Sequence, residues 1–385
     1  MTVRRASGAA ASVEAHRGRR ASAPAARGFA VLLVAVALAA LGAAPAQAAP
    51  PPHFFVGLQG WDDPSAFDIA RFQRAELHSY RIAFNWNAVE PTRGQYRWGR
   101  YDRLFLAASR AGVRMLPVFL ASPRWVCNPS CANPFPQWPP MSTDARRRFY
   151  AFVREAARRY GPNGYFWADK DVAQANRPKW FQVWNEPNIP NYWNHHPDPE
   201  GYGRFLRQTA TVLKAADPDV RVLAAGLPEP STFRPGYYHA ADFMQRMLAV
   251  PGVNDVVDGV AVHPYATYPR QIFDHLDRAR TAMRRSGASS KSLFITEFGW
   301  ATGGGNRGLS TTPAGQAERL RNAYRLLLSR RTEYRLAGAY WFSYKDTPVR
   351  PGGYDWWGRY TGLVDRYRRP KPSWGQFALV ARGEP

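Results

Sequence analysis

Short apolar segments alternate with longer amphipathic segments along most of the chain, and this alternation constrains the fold more than any other feature. The apolar segments have up to eight residues, are rich in Val, Ile, Phe or Ala, and lack strict apolar–polar alternation. Such runs are typical of parallel strands that are buried on both faces. The predicted strands are Phe54–Trp61, Tyr80–Trp86, Arg114–Leu120, Trp180–Trp184, Val220–Leu227, Gly259–His263, Leu293–Glu297 and Ala337–Ser343.

Helical segments separate the predicted strands. The clearest is Ala314–Arg330, in which Ala317, Leu320, Tyr324 and Leu327 recur at helical spacing. The other predicted helices are Pro64–Leu77, Tyr101–Ala111, Thr143–Tyr160, Pro199–Ala216, Ala240–Leu248, Arg270–Arg285 with Gly287 as its C-terminal cap, and a short one near Trp374–Leu379. Eight strand–helix units in roughly 330 residues predict an α/β protein with a single (β/α)₈ TIM barrel. A doubly wound sheet is the alternative, but no glycine-rich phosphate loop follows the first strand.

The first 48 residues predict a signal peptide. Arginines precede an apolar run, Gly28–Ala44, and Ala46-Gln47-Ala48 follows it as a cleavage site. The expected division is therefore a leader, residues 1–48, and a barrel domain, residues 49–385. We expect a secreted, extracellular protein without a membrane span, because no other stretch is long and apolar enough. The pair Arg19-Arg20 leaves general and twin-arginine export both open.

The two cysteines, Cys127 and Cys131, are four positions apart in a segment rich in Pro and Asn. In an oxidising compartment such a pair favours a disulfide that closes a small loop. A metal site would need further ligands, and the surrounding segment offers none. The sequence therefore predicts a disulfide, and neither a metal nor another cofactor.

A formal net charge of +23 raises the question of a nucleic-acid partner. The leader accounts for +5 of it, from six arginines and one glutamate, which leaves +18 for residues 49–385. That charge is spread along the chain, whereas nucleic-acid sites usually cluster Lys and Arg with aromatic residues on one element. We expect no nucleic-acid partner. The charge is compatible with attraction to an anionic surface or to a glycan that contains uronic acids.

Two glutamates follow predicted strands on opposite sides of the barrel. Glu186 ends the fourth strand in the sequence VWNEPN, and Glu297 ends the seventh in ITEFGW. The carboxyl ends of the strands carry the chemistry in such barrels. Carboxyl groups among Trp, Ile and Phe are costly to bury without a partner or a task. Hydrolysis of a glycosidic bond requires two carboxyl groups, one to protonate the leaving oxygen and one to attack or to activate water.

On these segments the chain resembles the large clan of retaining glycoside hydrolases with a barrel fold and catalytic glutamates on strands four and seven. The nearest families are the xylosidase/iduronidase-like and the cellulase-like families, and the resemblance extends over essentially all of residues 49–385. The matching segments are Tyr80–Ile82, Trp86–Pro91 with Gly94–Tyr96, Val183–Asn188, Val262–Tyr265, Ile295–Gly299 and Tyr340–Phe342. The apolar end of the third strand, Pro117–Leu120, departs from the cellulase-like pattern and favours the xylosidase-like relatives.

The resemblance implies a role for each matching residue. Glu186 would be the general acid/base and Glu297 the nucleophile of a double displacement on an oligosaccharide or polysaccharide. Asn185 would bind the 2-hydroxyl of the sugar, and Arg81 would keep the nucleophile ionised.

Three further residues receive binding roles in the same way. His263 and Tyr265 would hydrogen-bond the sugar or the nucleophile, and Trp341 would be the stacking floor of the subsite where the bond breaks. Each of these residues also has an ordinary alternative as a core residue, and Arg81 has one as a brace of the barrel. Residues in the loops after the strands are either further sugar platforms or buried anchors: Trp125, Tyr192, Trp193, Trp300, Trp356 and Trp357.

The sequence leaves several functions open beside hydrolysis. A transglycosylase differs only in the acceptor, and an inert carbohydrate-binding barrel would keep the aromatic platforms. A basic structural protein that binds cell walls would account for the charge but not for the two glutamates. The sugar, the linkage, the choice between exo and endo action and the oligomeric state also remain open.

Overall fold

Eight parallel strands close into a barrel in chain order, with the first strand paired to the eighth. This is a computed structural model, and it describes residues 52–126, 138–193, 196–230, 236–306, 308–349 and 355–384. The strands are β1 Val56–Gln59, β2 Ser79–Asn85, β3 Arg114–Leu120, β4 Trp180–Val183, β5 Arg221–Pro228, β6 Gly259–His263, β7 Ser292–Phe298 and β8 Leu336–Phe342. The predicted fold class, a (β/α)₈ barrel, is confirmed.

Helices surround the barrel. They are α1 Ala66–Arg74, α2 Trp86–Val89, α3 Gly99–Arg110, α4 Thr143–Tyr160, α5 Pro199–Ala216, α6 Ala240–Leu248, α7 Val253–Val256, α8 Ile272–Arg285, α9 Pro313–Ser329 and α10 Pro372–Ala381. Short 3₁₀ turns lie at Tyr165–Trp167, Gln174–Asn176, Pro269–Gln271 and Trp357–Tyr360. The one-turn helices α2 and α7 were not predicted, since four residues are too few to show a helical period.

Capping residues explain where several helices begin. Ser142 caps α4 by accepting a hydrogen bond from the backbone N–H of Ala145. Ser65 caps α1 in the same way through Asp68, so α1 begins two residues after the predicted start at Pro64. At the other end of α8, Gly287 has φ of +71° just past the last helical turn, where a residue without a Cβ is favoured.

Two layers of apolar side chains hold the barrel together. The larger layer lies between the strands and the helices. The smaller one fills the barrel interior, and it consists of Leu116, Leu223, Ala261, Phe294 and Tyr340. This arrangement leaves the carboxyl-terminal ends of the strands as the place where polar side chains meet.

Some sequence predictions concern residues outside the described part of the chain. The leader with its cleavage site, and both cysteines of the predicted disulfide, Cys127 and Cys131, fall there. Among the described residues, none of the helices has the length and apolar character that a membrane span requires.

Candidate active site

A cleft of about 340 Å³ opens at the carboxyl-terminal ends of the strands. Both predicted catalytic glutamates line it, together with Arg81, Asn185 and Tyr265. The strand order brings these residues, which come from β2, β4, β6 and β7 and their following loops, to one end of the barrel. Their positions agree with the general location of chemistry in such barrels.

The carboxyl groups of Glu186 and Glu297 face each other across this cleft. A carboxyl oxygen of Glu186 lies within 4.8 Å of a carboxyl oxygen of Glu297. Each of these two oxygens also lies within 4.8 Å of a ring nitrogen of His263. Retaining glycosidases hold their two carboxyl groups about 5–5.5 Å apart, whereas inverting enzymes need roughly 6.5–9.5 Å to admit a water molecule. The observed separation belongs to the narrow class.

Three side chains hold Glu297 in place as a carboxylate. Arg81 donates from Nη1 to Oε1 at 2.6 Å, Gln59 donates from Nε2 to the same oxygen at 3.2 Å, and the Tyr265 hydroxyl donates to Oε2 at 2.8 Å. Burial acts to raise the pKa of Glu297. The charges of His263 and Arg81 and the hydrogen bonds from Arg81 and Tyr265 outweigh burial, so the pKa is lowered.

Glu186 has a different environment and the opposite pKa shift. Burial raises its pKa, the negative charge of Glu297 adds to that effect, and His263 opposes it. The backbone of Glu186 is in the left-handed region, with φ of +44°, and so is that of Trp184, with φ of +68°. This turn after β4 directs the carboxyl group into the cleft, where its side chain is 12% exposed.

His263 lies between the two carboxyl groups at the end of β6. Its Nδ1 is hydrogen-bonded to Oε1 of Glu186 at 2.7 Å, and its Nε2 is hydrogen-bonded to Oγ1 of Thr296 at 3.0 Å. The ring has room because Gly226 on β5 has no side chain, and a Cβ there would lie 2.0 Å from Nε2. His263 was predicted to hydrogen-bond the sugar or Glu297, but its Nε2 lies 3.7 Å from Oε1 of Glu297, which is beyond hydrogen-bond distance.

Arg81 connects the two sides of the site. Its Nη2 donates to Oδ1 of Asn185 at 2.7 Å, its Nε donates to Oε1 of Gln182 at 3.0 Å, and Nη1 also donates to Oε1 of Gln59. Gln182 in turn donates to the carbonyl of Trp184 at 2.9 Å. One guanidinium group therefore orients the carboxylate of β7 and the segment that carries the carboxyl group of β4.

Asn185 also contacts the loop after β4. Its Oδ1 is occupied by Arg81, which fixes the orientation of the amide group. Burial is the main cause that raises the pKa of Tyr192, and Asn185 acts to lower it. Asn185 and Tyr192 both line the cleft, so the amide group lies where a sugar hydroxyl would meet it.

The predicted role of Trp341 as a stacking floor is wrong, and the alternative, a core residue, is the one observed. This side chain is fully buried outside the barrel, donates from Nε1 to the carbonyl of Thr361 at 3.0 Å, and packs against Phe298 and Trp300. Side chains alternate between the two faces of a strand, so the residue that points into the cleft is the next one, Phe342. The aromatic residue of the cleft therefore lies on β8, as predicted, but at position 342 on the inner face of the strand.

Several residues of the site were not predicted. Gln59, Gln182 and Thr296 contact Arg81 or His263. Gln59 and Gln182 lie outside the matching segments, and Thr296 lies within one of them, Ile295–Gly299, but received no role. A polar residue within an otherwise apolar predicted strand was the available signal for Gln182, because an unpaired buried amide is costly. Trp61, which follows β1 and lines the cleft, was also missed.

The aromatic residues after the strands divide into platforms and anchors. Tyr192 and Trp356 line the cleft. Trp193 and Trp300 are buried anchors, and Trp300 donates to the carbonyl of Ala266 at 2.8 Å. Trp357 packs edge to face on Tyr265, with ring centroids 5.1 Å apart.

The remaining predicted loop residue, Trp125, serves as an anchor beside Glu90. Its Nε1 donates to the carbonyl of Glu90 at 2.8 Å. The Glu90 carboxylate accepts hydrogen bonds from Trp86 Nε1 and from the backbone N–H of Gly94, each at 2.7 Å. These contacts fix the loop after β2.

A metal cation is a second kind of ligand that the side chains of the cleft could bind. Glu186, His263 and Glu297 lie close enough together to share one. Both oxygens of Glu297, however, already accept hydrogen bonds, and the guanidinium group of Arg81 supplies the compensating positive charge. The arrangement is that of two hydrogen-bonded carboxyl groups whose pKa values are shifted in opposite directions.

Comparison with known proteins identifies the fold. No protein-family model matches the sequence, and no curated protein matches it. Among solved structures, a family 39 glycoside hydrolase from Bacteroides cellulosilyticus WH2 has a TM-score of 0.60 at 22% identity, over 86% of this chain and 64% of that one. A monomeric β-xylosidase from Caulobacter crescentus CB15 has a TM-score of 0.61 at 19% identity, over 87% and 69%. Xylanase 10B from Thermotoga maritima has a TM-score of 0.55 at 14% identity, over 86% and 95%.

These neighbours share the barrel with this chain. The chain spans less than two thirds of the length of the family 39 enzyme. At identities below a quarter, the likeness establishes a common fold, and the residues of the cleft have to carry any statement about chemistry.

Proposed function

We propose that the protein is a retaining glycoside hydrolase that cleaves O-glycosidic bonds of an oligosaccharide or polysaccharide by double displacement. The observation that carries the proposal is the pair Glu186 and Glu297, whose carboxyl oxygens lie within 4.8 Å and whose pKa values are shifted in opposite directions. At a pH between the two pKa values, Glu186 is protonated and Glu297 is ionised, which is the starting state that the mechanism needs.

In the first step, the ionised Glu297 attacks the anomeric carbon while the protonated Glu186 gives its proton to the departing oxygen. The glycosidic C–O bond breaks and a glycosyl ester forms on Glu297. In the second step, Glu186, now ionised, takes a proton from a water molecule whose oxygen attacks the same carbon. The ester bond breaks, both carboxyl groups regain their initial states, and the sugar is released with its original anomeric configuration.

The surrounding residues support this division of roles. Arg81 and Tyr265 donate to the oxygens of Glu297 and stabilise its charge before attack and after release of the sugar. His263 contacts Glu186, whose charge changes in each step. The neighbours of the same fold include a β-xylosidase and a xylanase, which supports a glycan substrate for this chain.

The two other functions are less well supported by the site. An inert binding protein gains nothing from two buried carboxyl groups with opposite pKa shifts, because burial of unused charge is costly. A transglycosylase would use the same first step and replace water by a sugar hydroxyl. Product analysis in the absence of an added acceptor distinguishes it from the hydrolase.

A panel of aryl glycosides and neutral polysaccharides, followed by NMR of the first product, tests the proposal. We expect hydrolysis of at least one member with retention of anomeric configuration, and loss of turnover in Glu297→Ala. Azide should restore release of the aryl group in that variant, with formation of a glycosyl azide of inverted configuration. The control is Glu333→Ala, which removes an exposed carboxylate that pairs with Arg330 and should keep full activity. Inverted sugar products, or full activity of Glu297→Ala, would contradict the proposal.

We also propose that the protein acts outside the cell. The leader motif ending at Ala48 supports export, and the cysteine pair Cys127 and Cys131 fits an oxidising compartment. Mass spectrometry of protein recovered from the culture medium should find the N-terminus at residue 49 and no free thiol. Retention of the leader, or alkylation of both cysteines without prior reduction, would argue against this localisation.

A further inference from the structure

An aromatic cluster borders the cleft beside β1 and β8. It consists of Trp61, Phe342 and Trp356, and we refer to it as the β1–β8 cluster. All three line the cleft. The ring of Trp61 lies edge to face on Phe342 with centroids 4.9 Å apart, and on Trp356 with centroids 5.7 Å apart. Trp61 is nevertheless 46% exposed, so much of its ring is open to solvent.

The contacts of the β1–β8 cluster hold its rings in fixed positions. Phe342 is buried at the end of β8. Trp356 lies against the backbone of Gly358, where a Cβ would come within 2.4 Å of its ring. Next to Trp61, Asp62 forms an ion pair with Lys345 at 3.5 Å, which ties the loop after β1 to the loop after β8. A large exposed aromatic ring that neighbouring rings keep in place is a prepared binding surface.

The location of the cluster indicates which part of a substrate it would meet. Glu186 protonates the leaving group, so the leaving group occupies the β4 side of the cleft, where Tyr192 lies. The ring contacts of Trp61 are with residues of β8 and its following loop, and β1 and β8 are neighbours on the other side of β7 from Glu186. Trp61 therefore borders the end of the cleft away from the leaving group.

We propose that Trp61 is the stacking platform of a second sugar subsite on the non-reducing side of the bond that is cleaved. This inference rests on the proposed function and specifies its substrate class: a glycan with at least two sugar units on that side. The C–H bonds on one face of a pyranose pack on the face of an aromatic ring, and a half-exposed indole offers such a face. Binding energy from this second unit is used to orient the first unit over Glu297.

Paired aryl glycosides test the platform. Each pair has the same sugar and the same leaving group, and one member carries one sugar unit while the other carries two in β-1,4 linkage. We expect the wild type to favour the disaccharide by about tenfold or more in kcat/KM, and Trp61→Ala to lower that preference by about tenfold. Trp61→Phe keeps an aromatic face and should retain most of the preference. Phe67→Ala is the control, because it removes an exposed ring on the outer helix α1.

Binding to the inactive variant Glu297→Ala provides a readout that does not depend on turnover. Calorimetry should show tighter binding of the disaccharide than of the monosaccharide, and Trp61→Ala in the same background should remove the difference. Hydrolysis of monosaccharides without any preference for disaccharides would overturn the platform and leave the proposed function intact. An equal effect of Trp61→Ala on both members of a pair would also overturn it. If no member of the panel is hydrolysed, the proposed function itself is overturned.

Discussion

At the scale of single residues, burial and the contacts of two carboxyl groups shift their pKa values in opposite directions. Glu297 accepts from a guanidinium group, an amide and a phenol, whereas Glu186 is largely buried and contacts a histidine. The first environment favours the charged form and the second disfavours it. The assignment of nucleophile and acid follows from this difference.

The same difference predicts a bell-shaped dependence of kcat/KM on pH. Activity requires Glu297 ionised, so it falls as the pH decreases through the lowered pKa of that residue. It also requires Glu186 protonated, so it falls as the pH increases through the raised pKa of that residue. Initial rates with an aryl glycoside from about pH 3 to about pH 9 measure both limbs. A profile without an alkaline limb would contradict the assignment of Glu186.

His263 should control the position of the alkaline limb. Its hydrogen bond and charge lower the pKa of Glu186, so His263→Ala should raise that pKa further and move the alkaline limb to higher pH. The control is His275→Ala, which removes a histidine on the outer helix α8. An alkaline limb that stays in place, or moves to lower pH, would show that His263 does not set the protonation of Glu186.

The sequence allowed the catalytic pair to be predicted but not its contacts. Glu186 and Glu297 end strands within characteristic motifs, and parallel strands bring such ends together. The pairing of His263 with Glu186 depends on the space above Gly226, which no motif records. Gln59 was missed for a related reason, since its partners come from other strands.

At the scale of secondary-structure elements, the face of a strand decides what each residue does. On β8, Trp341 packs against Phe298 and Trp300 on the outer face of the strand, and Phe342 lines the cleft. The apolar sequence of this strand gives no alternation from which the two faces could be distinguished, because both are buried. Helix ends were easier to predict where a capping side chain was present, as at Ser142 before α4.

Two substitutions on β8 should separate stability from activity. Trp341→Ala removes a fully buried ring and should lower the free energy of unfolding by about 3–5 kcal/mol. Phe342→Ala should lower kcat/KM by a larger factor than Trp341→Ala does, because its ring lines the cleft. Urea denaturation and initial rates below the unfolding transition measure the two effects. A larger catalytic loss in Trp341→Ala than in Phe342→Ala would contradict the assignment of the two faces.

At the scale of the whole molecule, the first helix and the C-terminal segment meet at a buried carboxylate. Asp68 on α1 accepts hydrogen bonds from the Tyr344 hydroxyl at 2.7 Å and from Arg368 Nε at 3.0 Å, and its other oxygen accepts from the Ser65 hydroxyl at 2.7 Å. Burial acts to raise the pKa of Asp68, but Arg368, Ser65 and Tyr344 lower it to about 2. These contacts join two parts of the barrel domain that are 300 positions apart in sequence.

Asp68 should therefore make stability depend on pH in the acidic range. The pKa of Asp68 is lower in the folded than in the unfolded protein. Its contribution to the free energy of unfolding is therefore present above about pH 5 and is lost as the pH falls towards about 2. Asp68→Asn should lower the free energy of unfolding by roughly 1–2 kcal/mol at neutral pH and flatten the acidic part of the curve. Urea unfolding at a series of pH values measures this, with the exposed Glu318→Gln as control. Parallel curves for Asp68→Asn and the wild type would contradict the prediction.

The fold could be predicted from the sequence because eight strand–helix units have few ways to pack, whereas the substrate could not. The net charge of +18 over residues 49–385 was compatible with an anionic surface or a glycan that contains uronic acids. Among the described residues that line the cleft, Arg81 is the one cation, and its N–H groups are engaged with Gln59, Gln182, Asn185 and Glu297. The distribution of charge around a site, rather than its total, bears on what the site binds.

Covalent labelling tests the central claim, that Glu297 is the nucleophile of a retaining glycosidase, most directly. A 2-deoxy-2-fluoro glycoside with a good leaving group forms the glycosyl ester faster than water removes it. After incubation, the intact protein should gain the mass of one fluorosugar, and peptide mapping should place it on Glu297. The label should be absent from Glu297→Ala and should disappear from the wild type as activity returns in the presence of an acceptor sugar. A label on another residue, or hydrolysis with inversion and no label, would contradict the account.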